Sequence, residues 1–212
     1  AAEQRGVATC FTGGWLGARY AAILDNEGFV RYAVGELFAG GCRRPVLLMQ
    51  GEPDPGFEGP LVGLRDGLRD AGHPPQDAEI IYCDLRGADG GKLAARSLLA
   101  RPRQHRPDGL VLPDDLLTLG LTNVLRDSDY RPKIVSLTNR QLPLSFALPV
   151  VHYELDLNEL AQTAATMLVE RMRNPALGER VERIGARRVD GASSAPAEGV
   201  GSVRSHTLGS LG

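Results

Sequence analysis

Two adjacent carboxylates, Asp114 and Asp115, stand where a short apolar run, Leu110 to Leu112, breaks at Pro113. A helical pattern of Leu116, Leu117, Leu119 and Gly120 follows them. The run is of strand length and too short for a helix, so it reads as a buried strand delivering carboxylates to its C-terminal end. In open α/β sheets ligands bind at that end of the strands. Carboxylates placed there accept charge-assisted hydrogen bonds from ligand hydroxyls. Either residue also suits the N-cap of the helix; Asp115 is the expected cap and Asp114 the expected ligand contact. Asn139 and Arg140 hold the equivalent place after a second strand pattern, Lys133 to Leu137. Asn139 suits a turn as well as a ligand, and Arg140 suits bidentate pairing with a carboxylate or phosphate. Trp15, the only tryptophan, lies in a Gly-rich stretch and is suited to stacking on a sugar face or to packing.

Other chemistries find less support. Asp114 and Asp115 make a poor acid–base pair, because neighbouring side chains usually point apart and no nucleophile–His arrangement accompanies them. The glycines at 13, 14 and 17 lack the strand, helix and acidic residue of a dinucleotide site, and neither a GxSxG nor a P-loop occurs. Three widely spaced cysteines, Cys10, Cys42 and Cys83, form no zinc pattern and fit a reduced, cytosolic setting. The expectation is therefore a non-enzyme without metal or cofactor. A net charge of −2 argues against a nucleic-acid-binding surface on this chain. No run approaches the roughly 18 apolar residues that span a bilayer, and the polar start from Ala1 to Gly6 is followed by no apolar signal region. The chain starts without Met, as a fragment of a longer protein would.

The elements that position these residues alternate. Strands are expected at Val7 to Phe11, Tyr20 to Leu24, Pro45 to Met49, Glu79 to Cys83, Leu110 to Leu112, Lys133 to Leu137 and Val150 to Tyr153. Helices are expected at Glu27 to Ala39, Leu61 to Ala71, Lys92 to Ala100, Leu116 to Arg126 and Leu157 to Arg173. Asp25-Asn26 suits the N-cap of the first helix, and Asp156 with Glu159 forms a capping box for the last. Alternating strands and helices mean βαβ units, hence an α/β fold with parallel sheets and right-handed crossovers. From Gly191 onward the composition turns to Gly, Ser and Ala, which is expected to remain disordered.

In this order the signatures resemble the effector-binding domain of LacI/GalR-family transcription regulators, which is similar to type I periplasmic binding proteins. Four passages carry the resemblance. They are Asp25-Asn26 with Ala33, Val34, Leu37 and Gly41 to Leu48; Phe57 to Gly72; Asp108 to Gly120; and Lys133 to Asn139 followed by Pro149 to Arg171.

The resemblance implies two Rossmann-like parallel-sheet subdomains with a ligand cleft between them, the first apparently incomplete at its N-terminus. Residues 1–42 would be the later part of subdomain one, 43–137 subdomain two, 138–175 the return to subdomain one, and 176–190 a terminal strand segment before the 191–212 tail. It also places Asp25 near the cleft, although capping explains that residue without a ligand. The family has Asn where Asp114 stands and an Arg where Pro60 stands. Proline offers no side-chain donor, so against the implied sugar or sugar-derivative effector either the effector is unusual or the sensor has lost its sugar response. Implied partners are a second copy of the chain, with Leu61 to Ala71 a contact, and operator DNA through an absent N-terminal helix-turn-helix. The alternative is a sugar-type solute-binding protein of a transporter.

Overall fold

Alternation of strand and helix resolves into two parallel sheets. The computed structural model describes residues 7–13, 18–51 and 58–189. The elements run β1 (Phe11–Gly13), β2 (Tyr20–Leu24), α1 (Asn26–Ala39), β3 (Pro45–Gln50), α2 (Gly59–Asp70), β4 (Glu79–Cys83), α3 (Gly87–Ala100), β5 (Gly109–Leu112) and α4 (Asp115–Leu125). They continue through β6 (Lys133–Asn139), β7 (Val151–Leu155), α5 (Leu157–Arg173), β8 (Arg180–Ile184) and β9 (Arg187–Val189). The smaller sheet has the order β1-β2-β8 and the larger β4-β3-β5-β6-β7-β9. Every pairing is parallel except that of β7 with β9.

The larger sheet is covered on both faces, which is why its central strands β3 and β5 read as unbroken apolar runs. Leu47, Met49, Val111, Val135 and Leu137 pack beneath α1 and α2. Val46, Leu48, Leu110, Leu112 and Ile134, pointing the other way, pack beneath α3 and α4. Tyr20, Ala22 and Ile184 of the smaller sheet pack on Leu160, Ala164 and Met167 of α5. These are the two Rossmann-like subdomains.

Sheet membership departs from the boundaries expected at 42 and 138. Helix α1 packs on the larger sheet, and β7 is its fifth strand rather than part of the return. The terminal segment divides, β8 joining the smaller sheet and β9 the larger. The chain therefore passes between subdomains at Asp25, at Asp156 and between Ile184 and Arg187. Two of these passages lie side by side, since the Asp25 amide donates to the Ile184 carbonyl at 2.9 Å. Pairing between distant segments decides membership, and local pattern does not encode it.

Two elements start four or more residues from where they were expected. The first strand is Phe11–Gly13, not Val7 to Phe11. Helix α3 begins at Gly87, ahead of Gly90 and Gly91, which stand inside it as contact points. A Cβ at Gly91 would lie 2.0 Å from the Leu117 carbonyl oxygen, and one at Gly120 would lie 1.8 Å from that of Ala88. Bare backbone is what lets α3 and α4 approach so closely. Trp15 and the 191–212 tail lie outside the described residues.

Gly120→Ala is expected to force these helices apart, at the roughly 1–3 kcal/mol typical of overpacked cores. Chemical denaturation checks it: a midpoint unchanged from the parent would mean that the helix contact is not tight.

Candidate ligand site

Every strand of a parallel sheet ends on the same edge, so β3, β4, β5, β6 and β7 present their carboxyl ends together. From β3 the chain first goes outward to β4, then crosses back over β3 to reach β5. That reversal makes the gap between β3 and β5 the topological switch point, where open α/β sheets bind ligands. Gln50 ends β3, and Asp114 and Asp115 follow β5 at this gap.

Asp114 is the N-cap of α4: its Oδ1 accepts from the Leu117 amide at 2.6 Å. The Gln50 side chain also hydrogen-bonds Asp114, while Gln50 Oε1 accepts from the Gly87 amide at the start of α3 at 3.1 Å. One amide thus ties the ends of β3 and β5 to the first turn of α3. Burial pushes the Asp114 carboxyl up from its ordinary 3.8, and the neighbouring Asp115 charge adds to this; the Leu117 amide and Gln50 oppose it.

Asp115 is buried and its Oδ2 accepts from Asn139 Nδ2 at 2.8 Å. Its position is set from below. Thr118 Oγ1 donates to the Asp114 carbonyl at 2.8 Å, and its hydroxyl lies 2.7 Å from the buried Ser136 hydroxyl of β6. The pair fastens the first turn of α4 to the strand that carries Asn139. The cap expected at Asp115 falls to Asp114, and Asp115 bridges to β6. Helix α4 starts one residue earlier than its apolar pattern, and a one-residue shift is enough to move the cap.

The structure brings Asp114, Asp115 and Asn139 together and adds Gln50, Thr118 and Ser136, which sequence reasoning missed. Gln50 had a signal: it directly follows the expected strand. Arg140 has other partners. Its side chain is exposed and pairs with Asp156 at 3.2 Å. With Asp156, Glu159, Gly185 and Arg187 it lines a notch of about 290 Å³. Asp156 caps α5 through the Asn158 and Glu159 amides and accepts from Gln141 at 2.6 Å; the Gln141 bond leads the effects that hold its carboxyl below the usual range. Asp25 caps α1 through the Gly28 amide at 3.0 Å and lies 3.5 Å from Arg183 of β8. Pro60 lies in the first turn of α2, where its missing amide N–H costs nothing.

This is the architecture of a family. The chain belongs to the periplasmic binding protein-like domain family, whose model matches residues 34–194. No curated protein matches it by sequence. Among solved structures it is similar to a LacI family transcriptional regulator from Enterococcus faecium with bound ribose, at a TM-score of 0.72 and 17% identity, covering 89% of this chain and 70% of that one. The CelR regulator in complex with cellobiose gives 0.73 and 23%, covering 89% and 59%. The Cra regulator of Pseudomonas putida with fructose 1-phosphate gives 0.69 and 16%, covering 88% and 70%. These likenesses establish the fold. Among the described residues no helix is long and apolar enough to cross a membrane.

Because the folded pKa of Asp114 is raised, its stabilising contribution is fully present below the ordinary 3.8 and is lost as pH rises through the folded value. Asn caps a helix as well as Asp does. Asp114→Asn should therefore gain stability over the parent progressively as pH rises from about 4 through the weakly acidic range. Asp114→Ala, without a cap, should lose about 1 kcal/mol at neutral pH. Thermal melts of the three proteins across pH provide the check, and parallel curves for parent and Asp114→Asn would refute the buried-carboxylate account.

Proposed function

We propose that this chain is the small-molecule-sensing domain of a LacI/GalR-like bacterial transcription regulator, with a sugar or sugar derivative as effector. The observation that carries the reading is the cluster of Gln50, Asp114, Asp115 and Asn139 at the switch point of a periplasmic binding protein-like fold. Two carboxylates and two amides offer many acceptors and a few donors, the complement of a polyhydroxylated ligand. The sugars and sugar phosphate in the similar regulators support the same class. Asp25 and Arg140, at the passages between subdomains, contact the effector or adjust its site, and Trp15 is proposed to stack on it.

In this reading the effector joins groups from both subdomains and stabilises their closed arrangement. It shifts the equilibrium only by its difference in affinity for the two arrangements. The shift would be read out in the cytoplasm, by a homodimer, at operator DNA. The helix-turn-helix that would contact DNA is not among the described elements. No group is assigned a catalytic role.

Thermal melting against sugars, sugar phosphates, nucleosides and sugar acids tests the proposal. A ligand at about 100 times its Kd adds roughly 2.7 kcal/mol, or about 5–10 °C for a domain of this size. Asn139→Ala, compared with its own unliganded melt, should lose most of that shift. A cooperative melt that no ligand class moves would count against a working sensor. A shift that survives Asn139→Ala undiminished would count against this site.

A further inference from the structure

The opposite edge of the larger sheet, where β3, β5 and β6 begin, carries a different chemistry. A cavity of about 330 Å³ opens there, lined by Arg44, Arg103, Arg106, Asp108, Asp129, Tyr130 and Arg131 together with Pro107 and Pro132. Four guanidiniums thus face two carboxylates, in a chain whose overall charge is −2.

What holds the arginines matters more than their number. Arg44 donates to the carbonyls of Gln104 and Arg106. Arg106, mostly buried, donates to the carbonyls of Leu99 and Arg101 at 2.7 and 3.0 Å. Arg131 donates to those of Leu125, Arg126, Ser128 and Tyr130. Neutral carbonyls fix a guanidinium in place without cancelling its charge. Asp108 is committed elsewhere, accepting from the Arg43 and Arg44 amides at 2.9 and 2.8 Å. Asp129 faces both Arg103 and Arg106. Tyr130 forms the floor, with its hydroxyl on the Pro107 carbonyl and its ring 5.7 Å from the Arg106 guanidinium.

Capping of the C-terminal ends of α3 and α4 accounts for Arg106 and Arg131. It does not account for Arg103, an exposed side chain whose partner among the described residues is the Asp129 side chain, nor for the cavity among the four. We propose that this edge is a second ligand site, for a small phosphate-bearing anion held by Arg44, Arg103, Arg106 and Arg131. Arg44, Arg106 and Arg131 are held by carbonyls and Arg103 by Asp129, and planar guanidinium forks suit phosphate oxygens. The site lies within one subdomain, so binding here needs no closure and stands independently of the effector reading.

The test is a heteronuclear NMR titration of the full chain with inorganic phosphate, at constant ionic strength. Saturable shifts are expected at residues 103–106 and 129–131, and Arg103→Ala should weaken binding about tenfold, the loss of one charge-assisted contact. Glycerol 3-phosphate binding more tightly than inorganic phosphate would identify an ester as the ligand; equal binding would identify the free ion. Absence of saturation, shifts centred instead on Gln50, Asp114 and Asn139, or unchanged affinity in folded Arg103→Ala would each overturn the proposal.

Discussion

Burying both faces of a parallel sheet forces the polar groups of its strands to the two ends. In β3 and β5 the described interior is apolar throughout, with Val46, Leu47, Leu48, Leu110, Val111 and Leu112 essentially removed from water. Polar side chains there would have needed buried partners. The result is two polar edges of opposite character. The carboxyl edge carries Asp114, Asp115, Gln50 and Asn139, and the amino edge carries an arginine cluster. Helices α3 and α4 run antiparallel to the strands they follow, so their N-terminal amides meet the first edge and their last carbonyls the second. Aspartates at helix starts and arginines at helix ends follow from that alignment.

The buried polar pair that breaks the rule shows how the site is held. Thr118 and Ser136 are both fully buried, one on α4 and one on β6. Each hydroxyl is satisfied within the protein, so the pair specifies register at little cost. Because Thr118 lies one helical turn beyond Asp114 and Ser136 lies on β6, the strand that ends in Asn139, the pair sets where Asp115 can meet that amide. The glycine contacts between α3 and α4 act in the same direction. They fix the depth of α4 against the neighbour whose first amide holds Gln50.

The sequence made local properties legible and relational ones not. Strand β4 and helix α5 lie where their own patterns placed them, between turn signals in one case and behind a capping box in the other. The α/β class followed from alternation alone. Sheet membership of α1 and β7 did not, because it depends on Val135–Val151 and similar pairings across the fold. Likewise the pair Asp114-Asp115 was visible as carboxylates at the end of a strand. The division of labour between its members hung on a one-residue helix start, the least readable feature of any helix. The partner of Arg140 was not legible, because Asp156 lies sixteen residues on, at a different strand's end.

Asp114 gives a reason to look for function at this edge beyond its place in the topology. An asparagine would cap α4 equally well and would not carry a half-buried charge beside that of Asp115. The helix N-terminus and the Leu117 amide relieve only part of this cost, since burial still dominates the carboxyl. Groups kept at a cost to stability concentrate where a protein binds or reacts. A ligand hydroxyl donating to Asp114 would favour its ionised form, as the Leu117 amide already does. Binding and ionisation would then be coupled through one atom pair, and the stability lost to the half-buried charge would return as affinity for a ligand rich in donors.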